Sequence, residues 1–315
     1  MFIILKTGEM NTTVMTLTRK LCCITKNNTN PAYEGARIGV SRIAALTNFE
    51  VRHLIPNIPD DISQQMQLIE DAIALKPDAI LLAPAHSSAL DKTILKIRDA
   101  GIPFIYFVSS SKEVLADVFV GSDNYSLAVS IATYLIKDLG EVGDLVIIEG
   151  NDNSPTSPPR TKGFLDAIAC YPGIRLIAQE SGFYQRQDAK KTFKSIMSKH
   201  SKIDGVLSAN DFMALGVIDA MKKVGKQIPI VGVNAMPLAI DAIKEGTLKA
   251  SAAFDAMKIA CVSTLAAIHM LEGKPVPKQI MLPVDIVDSQ NFMDWDLPYH
   301  ERPLIQLNTL FLDEK

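Results

Sequence analysis

Short apolar segments alternate with amphipathic segments along the chain, and this alternation constrains the fold more than any other feature. Residues 21–25 and 79–82 are apolar runs typical of buried strands. Between them, Ile62, Met66 and Ile69 recur at helical spacing, so one face of a helix would be apolar. Because a parallel strand needs a crossover to reach its neighbour, the alternation predicts an α/β fold with parallel, doubly wound sheets.

The alternation runs twice. It stops at residues 121–124, Gly-Ser-Asp-Asn, and then starts again, ending with residues 280–287 as a last predicted strand. With 315 residues, the chain has room for two lobes of ordinary domain size. We therefore expect two similar halves, each with its own sheet.

Amide side chains follow two neighbouring predicted strands. Residues 205–207 lead to Asn210, and residues 228–233 lead to Asn234. Ligands of open α/β sheets bind beyond the carboxyl ends of the strands. An amide offers two donors and an acceptor, which suits a ligand with neighbouring hydroxyl groups. A polar residue after a strand also commonly caps the next helix, and we interpret Asp211 as such a cap.

Composition and motifs argue against several functions. The net charge is -3 without a cluster of Lys and Arg, whereas nucleic-acid surfaces are normally basic. The sequence has no apolar run of about 18 residues, so it predicts no membrane span. Phosphate-loop, nucleophile-elbow and zinc-protease motifs are absent, and the carboxylate pair Asp60 and Asp61 is explained by a solvated helix start. We expect no metal, no cofactor, no nucleic-acid partner and no enzymatic activity.

The first residues are predicted to form a disordered leader, residues 1–19. Their apolar start, MFIIL, is shorter than the 7–15-residue core of a secretory signal. No signal peptide is therefore visible in the sequence.

Three motifs carry a resemblance to a known family. SANDFMALG, IPIVGVN and PLAIDAIKEGTLKASAAF resemble the sugar-binding proteins of ABC importers, the ribose-binding type of periplasmic binding protein. The similarity runs from about Lys20 to about Asp288, and the ligand domains of lactose-repressor-type regulators share these motifs. It implies two Rossmann-like lobes joined by a three-strand hinge. The implied parts are an N-terminal lobe of residues 20–122 plus 255–284, a C-terminal lobe of residues 123–254 plus 285–291, and a tail, residues 292–315, that packs on the lobes.

The resemblance also implies a set of ligand-binding residues between the lobes. Asn30 and Tyr33 match the family pattern Asn-Pro-x-aromatic, and Arg160 matches an arginine that clamps sugar oxygens. From the residues alone, Asn30 could equally cap its helix, and Tyr184 and Phe254 could be ordinary lobe packing. The full predicted set is Asn30, Tyr33, Ser109, Arg160, Tyr184, Asn210, Asn234 and Phe254.

The chain departs from the ribose-binding pattern after its fourth strand. Ribose binders carry an adjacent Asp-Arg pair there, whereas this chain has Val108 and Ser109. Hydrogen bonds to charged groups contribute about 1.5–3 kcal/mol each, so the loss of the pair favours a less polar ligand. We expect a deoxysugar, a short polyol derivative, or a sugar acid held by Arg160.

The resemblance implies a monomeric solute-binding protein that captures a small sugar-like ligand and hands it to a membrane ABC permease in the periplasm. One alternative is the ligand domain of a lactose-repressor-type regulator, although only about twenty residues precede the first strand. A periplasmic sensor that signals to a membrane kinase is another. An enzyme on a doubly wound fold is the third, since fold does not fix function.

Overall fold

The fold is described from a computed structural model, which covers residues 3–4, 14–15, 18–222, 225 and 227–304. The strands within these residues are β1 (Ile3–Ile4), β2 (Val14–Met15), β3 (Arg19–Ile24), β4 (Phe49–Leu54), β5 (Ala79–Leu82), β6 (Phe104–Phe107), β7 (Val118–Gly121), β8 (Gly143–Glu149), β9 (Ile174–Ser181), β10 (Gly205–Ser208), β11 (Ile230–Val233), β12 (Ala250–Ala252), β13 (Gln279–Met281) and β14 (Ile286–Asp288). The helices are α1 (Pro31–Ala45), α2 (Ile62–Ala74), α3 (Asp91–Asp99), α4 (Asn124–Asp138), α5 (Ser157–Ala169), α6 (Arg186–Lys199), α7 (Asp211–Lys222), α8 (Pro237–Lys244) and α9 (Ala256–Leu271), followed by a single 3-10 turn, η1 (Phe292–Trp295).

Two six-stranded sheets form the frame of the molecule. The first has the strand order β13-β7-β6-β5-β3-β4, and all its neighbours pair in parallel. The second has the order β14-β12-β11-β10-β8-β9, in which only the edge pair β12 and β14 is antiparallel. We call each sheet with its helices a lobe. The predicted fold class, two α/β lobes with mostly parallel sheets, is confirmed.

The chain passes between the sheets at three places. It leaves the first sheet after β7, returns to it through α9, and leaves again between β13 and β14. At the first two passages an aspartate fixes the start of the following helix. Asp123 accepts hydrogen bonds from the amides of Tyr125 and Ser126, and Asp255 caps α9 in the same way. Side-chain caps of this kind stabilise a helix start by about 1 kcal/mol.

The prediction that residues 280–287 form one last strand is wrong. Residues 280–287 do not form a single strand, because β13 belongs to the first lobe and β14 to the second. Between them, Pro283 has no amide hydrogen to give to a strand partner. The apolar pattern continues through this segment although the chain changes sheets within it.

A strap of residues 292–304 joins the two lobes outside the sheets. The Tyr299 ring covers Gly35 of α1 so closely that a Cβ atom at Gly35 would lie 2.7 Å from it. Arg42 of the first lobe donates to the carbonyl oxygens of Tyr299 and Arg302. Arg302 in turn donates to the carbonyl of Ala235, which follows β11 of the second lobe, at 3.0 Å. The strap is therefore bonded to both lobes.

Two sequence predictions reach beyond the described residues. Most of the predicted disordered leader, residues 1–19, lies outside them, although β1 and β2 pair antiparallel within it. The predicted tail, residues 292–315, is described as far as residue 304.

Replacement of Tyr299 by alanine should destabilise the protein. The ring is 7% exposed and fills the space above Gly35, so its removal should lower the free energy of unfolding by about 3 kcal/mol. Urea unfolding measures this change. Met293, 73% exposed in the same strap, is the control, and Met293→Ala should change the free energy by less than about 0.5 kcal/mol. Equal effects of the two substitutions would contradict the packing described here.

Candidate ligand-binding cleft

A cleft lies between the lobes where the strands of both sheets end. Seven of the eight predicted site residues line it, together with others that the sequence did not single out. The predicted residues present are Asn30, Tyr33, Arg160, Tyr184, Asn210, Asn234 and Phe254. The additional lining residues are Lys26, Asn27, Ala32, Asp60, Val108, Thr156 and Ala256.

The cleft is closed in this structure. The cavity inside it has a volume of about 30 Å³, which is room for about two water molecules. Hydrogen bonds cross it from lobe to lobe: Lys26 Nζ donates to Ser154 Oγ at 2.8 Å, and Thr29 Oγ1 donates to Gln185 Oε1 at 3.1 Å. Ligand pockets commonly enclose 300–1,000 Å³, so a ligand that needs such a volume does not fit the cleft in this closed arrangement.

Three aromatic rings from different elements line the cleft. Tyr33 comes from the first turn of α1, Tyr184 from the loop before α6, and Phe254 from the end of β12. Tyr184 has a φ of 59° and packs so closely on Gly150 that a Cβ atom there would lie 2.2 Å from its ring. Its hydroxyl is 3.0 Å from Thr156 Oγ1. The ring is thus held in place by contacts within its own lobe.

Arg160 is buried at the start of α5, which differs from the solvated position usual for an arginine at a helix start. Its Nε donates to Asn124 Oδ1 at 2.8 Å and its Nη1 to the carbonyl of Ala209 at 2.7 Å. The guanidinium lies 4.9 Å from the centre of the Phe254 ring. Cation–π contact and both hydrogen bonds fix the charge at the cleft wall.

The three predicted asparagines differ in how they are held. Asn30 Oδ1 accepts from the amide of Ala32, and Asn210 Oδ1 accepts from the amide of Met213, so both side chains cap helices. Their Nδ2 groups make no hydrogen bond to any described residue, and capping is therefore compatible with ligand binding. Neither Oδ1 nor Nδ2 of Asn234 makes a hydrogen bond to any described residue. The backbone of Asn234 has a φ of 129°.

Asp211 does not cap α7, because Asn210 takes that place. Its carboxylate instead accepts from Ser251 Oγ at 2.7 Å and from the amide of Met236 at 3.2 Å. These bonds tie the end of β10 to β12 and to the start of α8. Complete burial raises the pKa of Asp211 to about 6.

Ser109 is the predicted site residue that does not line the cleft. Its hydroxyl donates to the carbonyl of Pro84 at 3.0 Å, and the side chain is buried. The preceding Val108 lines the cleft with a φ of 67°. In the turn after β6, Val108 therefore lines the cleft, whereas the Ser109 hydroxyl is bonded within the protein.

Lys26 and Asp60 are the basic and acidic lining residues that sequence reasoning did not assign to the site. Asp61 caps α2 through the amide of Gln64, as a helix start predicts, but the side chain of Asp60 is only 8% exposed. Its Oδ1 lies 3.9 Å from Lys26 Nζ, and burial lowers the pKa of Lys26 and raises that of Asp60. The position of Lys26 two residues after β3 was the available signal, because the ends of these strands face the cleft.

This pair changes the reasoning about ligand polarity. The sequence indicated that the first lobe loses two charged partners at Val108 and Ser109. The structure supplies two others on the same lobe, Lys26 and Asp60. A hydroxylated ligand therefore meets charged groups in this cleft after all.

Within the described part of the chain, no group of three or more His, Cys, Asp and Glu side chains is placed to hold a metal ion. The described helices also include none with the length and apolar character needed to cross a membrane.

Two α/β lobes with a closed cleft between them at their strand ends define a two-lobed binding protein. The chain belongs to the periplasmic binding protein domain family, which matches residues 22–275. This confirms the resemblance seen in the sequence motifs.

Relatives of the chain are named as import proteins. The ribose import binding protein of Bacillus subtilis is 26% identical over 82% of this chain and 83% of its own length. The D-apiose import binding protein of Actinobacillus succinogenes is 28% identical over 86% of this chain and 88% of its own. The crystal structure of an ABC transporter periplasmic solute binding protein from the same species, with bound D-allose, has a TM-score of 0.84 at 24% identity. It covers 88% of this chain and 99% of that one, and it supports the fold.

Titration of Asp211 should make the protein less stable as pH rises. The folded protein holds the proton up to pH about 6, whereas an unfolded aspartate loses it near pH 3.9. The difference in free energy of unfolding between the native protein and Asp211→Asn should therefore shift against the native protein by up to about 3 kcal/mol from pH 4 to pH 7. Urea unfolding at each pH measures this difference.

Asp219 provides the control with the opposite sign. The hydrogen bond from Arg186 lowers the pKa of Asp219, so its stabilising contribution should be lost as pH falls below about 4. The prediction for Asp211 would be contradicted if the stability difference between the native protein and Asp211→Asn did not vary with pH. Such a result would mean that the Asp211 carboxyl is not buried.

Proposed function

We propose that this protein captures a small neutral sugar or polyol in the cleft between its lobes and delivers it to an ABC permease outside the cytoplasmic membrane. One observation carries the proposal: aromatic rings, amide groups and paired charges from both lobes converge on one closed cleft at the strand ends. Aromatic faces suit the apolar faces of a sugar ring, and amides and charges suit its hydroxyls.

Charge balance favours a neutral ligand over the sugar acid considered from the sequence. Lys26 lies beside Asp60, and Arg160 lies near the buried Asp211, which lowers the pKa of that carboxyl against the larger effect of burial. Each cation is thus offset by an acid. A ligand carboxylate would be repelled by Asp60 beside Lys26, whereas a hydroxyl group can bond to either member of that pair.

Closure is the proposed mechanism of capture. We place the lobe boundaries at residues 20–122 plus 255–284 and residues 123–254 plus 285–291, so the three passages of the chain between the sheets act as the hinge. Ligand entering the open cleft contacts both walls, and the closed form with its cross-lobe hydrogen bonds follows. The permease would then recognise the closed shape. The named import role of the two relatives supports transport over sensing.

A thermal-shift screen tests the proposed function. The panel holds D-ribose, D-allose, D-apiose, xylitol, myo-inositol, deoxysugars and sugar acids. A ligand at a hundred times its dissociation constant stabilises the folded protein by about 2.7 kcal/mol, which should raise Tm by about 5 °C. We expect at least one of the neutral compounds to give this shift and the sugar acids to give none. No shift with any compound would contradict the proposal.

Substitution of Asn234 tests where the ligand binds. Asn234→Gly removes an amide that lines the cleft without breaking a hydrogen bond to any described side chain, and glycine tolerates its φ of 129°. Affinity for the identified ligand should fall about tenfold, measured by calorimetry, with little change in unfolding midpoint. Ser109→Ala is the control and should keep the affinity, because Ser109 does not line the cleft. Unchanged affinity in Asn234→Gly would place the ligand elsewhere.

A further inference from the structure

We propose that Lys26 and Asp60 form a subsite that selects one hydroxyl group of the ligand. The inference rests on the proposed function and deepens it, because it names the chemical group that this chain recognises on its first lobe. The two side chains come from different loops, after β3 and before α2, and both line the cleft.

The spacing of the two side chains leaves a place for a hydroxyl oxygen. Lys26 Nζ and Asp60 Oδ1 are 3.9 Å apart, which is too far for a hydrogen bond between them. An oxygen atom about 2.8 Å from each would form a triangle with this pair and complete both hydrogen bonds. The free space of about 30 Å³ in the closed cleft is sufficient for such a group.

Asp60 has a hydrogen-bonding capacity that the protein does not use. Its Oδ2 accepts from Asn27 Nδ2 at 3.2 Å, but its buried Oδ1 has no hydrogen-bond partner among the described residues. A buried carboxylate oxygen without a donor destabilises the closed form, because it has lost water without gaining a hydrogen bond. A donor on the ligand would remove that cost, so the unpartnered oxygen favours ligand binding at this place.

A hydroxyl group complements the pair better than other polar groups do. The ammonium of Lys26 only donates, and the ionised carboxylate of Asp60 only accepts. A hydroxyl both donates and accepts, so it satisfies the two together. A ligand carboxylate would bring a lone pair against Asp60, and a ligand ammonium would bring its charge against Lys26.

The protein holds the two side chains in position before ligand arrives. The amide of Asp60 donates to the carbonyl of Lys26 at 2.7 Å, which joins the two loops. Asp60 adopts a φ of 59°, a conformation that aspartate tolerates better than most residues. A geometry fixed in this way reduces the ordering cost of binding.

Lys26 also connects the subsite to lobe closure. Its Nζ donates to Ser154 Oγ on the second lobe, Ser154 Oγ lies 3.2 Å from Thr156 Oγ1, and Thr156 Oγ1 lies 3.0 Å from the Tyr184 hydroxyl. This chain of hydroxyl groups runs from the subsite on one lobe to an aromatic ring on the other. A hydroxyl bound by Lys26 therefore sits next to a hydrogen bond that forms only when the lobes are closed.

Calorimetry with deoxy analogues tests the subsite. The probes are the panel sugar or polyol that binds the native protein and its monodeoxy analogues, each lacking one hydroxyl. Asp60→Asn and Lys26→Met should each weaken binding of the parent compound about 10- to 100-fold. One monodeoxy analogue should bind the native protein equally weakly and lose little further affinity in either variant, because the group that the pair binds is already missing.

Two further variants keep the test free of folding effects. The double variant Lys26→Met/Asp60→Asn leaves no unpaired buried charge, so it should fold and show the same selective loss. Asp61→Asn is the matched control, because asparagine also caps helices and Asp61 does not line the cleft. Its affinity should equal that of the native protein. Unfolding midpoints without ligand confirm that each variant is folded.

The outcomes separate this inference from the proposed function. If no panel compound binds the native protein, the proposed function fails and the subsite fails with it. If a compound binds but the double variant binds it equally well, the function stands and the pair is structural. If the variants weaken the parent and every deoxy analogue by the same factor, the pair does not select a hydroxyl group, and the inference is overturned.

Discussion

The buried carboxylate of Asp211 holds together the second-lobe wall of the cleft. It accepts from Ser251 Oγ and from the amide of Met236, and Ser251 Oγ accepts from the amide of Ala235. Three neighbouring strand ends are thereby fixed to one another, and each of them carries a residue of the cleft: Asn210, Asn234 and Phe254. A Cβ atom at Gly232 would lie 2.2 Å from this carboxylate, so the strand beside it must carry glycine. The geometry that faces the ligand depends on a group that does not itself line the cleft.

The sequence predicts correctly those cleft residues whose position follows from the order of the strands. Parallel strands place their carboxyl ends along one edge, and this rule brings Asn210 and Asn234 together without knowledge of any contact. It fails where a backbone turn decides the direction of a side chain. Ser109 follows Val108, whose φ of 67° places the serine hydroxyl on Pro84, and Asp60 has a φ of 59°. Such local conformations have no periodic signature in a sequence. The apolar pattern misses the split of residues 280–287 into two strands, because sheet membership depends on distant partners, whereas the family resemblance implies a lobe boundary between residues 284 and 285.

Charges inside the cleft are close to balance, which sets the conditions for opening and closing. Lys26 and Asp60 are both buried, and desolvation acts on each in the direction that disfavours its charge. Their incomplete contact leaves part of that cost uncompensated in the closed form. Opening would return both groups to water, and a bound hydroxyl would compensate them in the closed form. The same two residues can therefore favour separation of the empty lobes and closure of the occupied ones.

The strap of residues 292–304, which follows β14 in the chain, adds a connection between the lobes outside the three passages of the chain between the sheets. Tyr299 rests on Gly35 in one lobe, and Arg302 is bonded to Ala235, the neighbour of Asn234, in the other. Any coupling between docking of the strap and occupation of the cleft would be reciprocal: the free energy that one contributes to the other would be returned in equal amount. A dissociation constant measured on a version shortened before Tyr299 would then differ from that of the longer chain by the amount of this coupling.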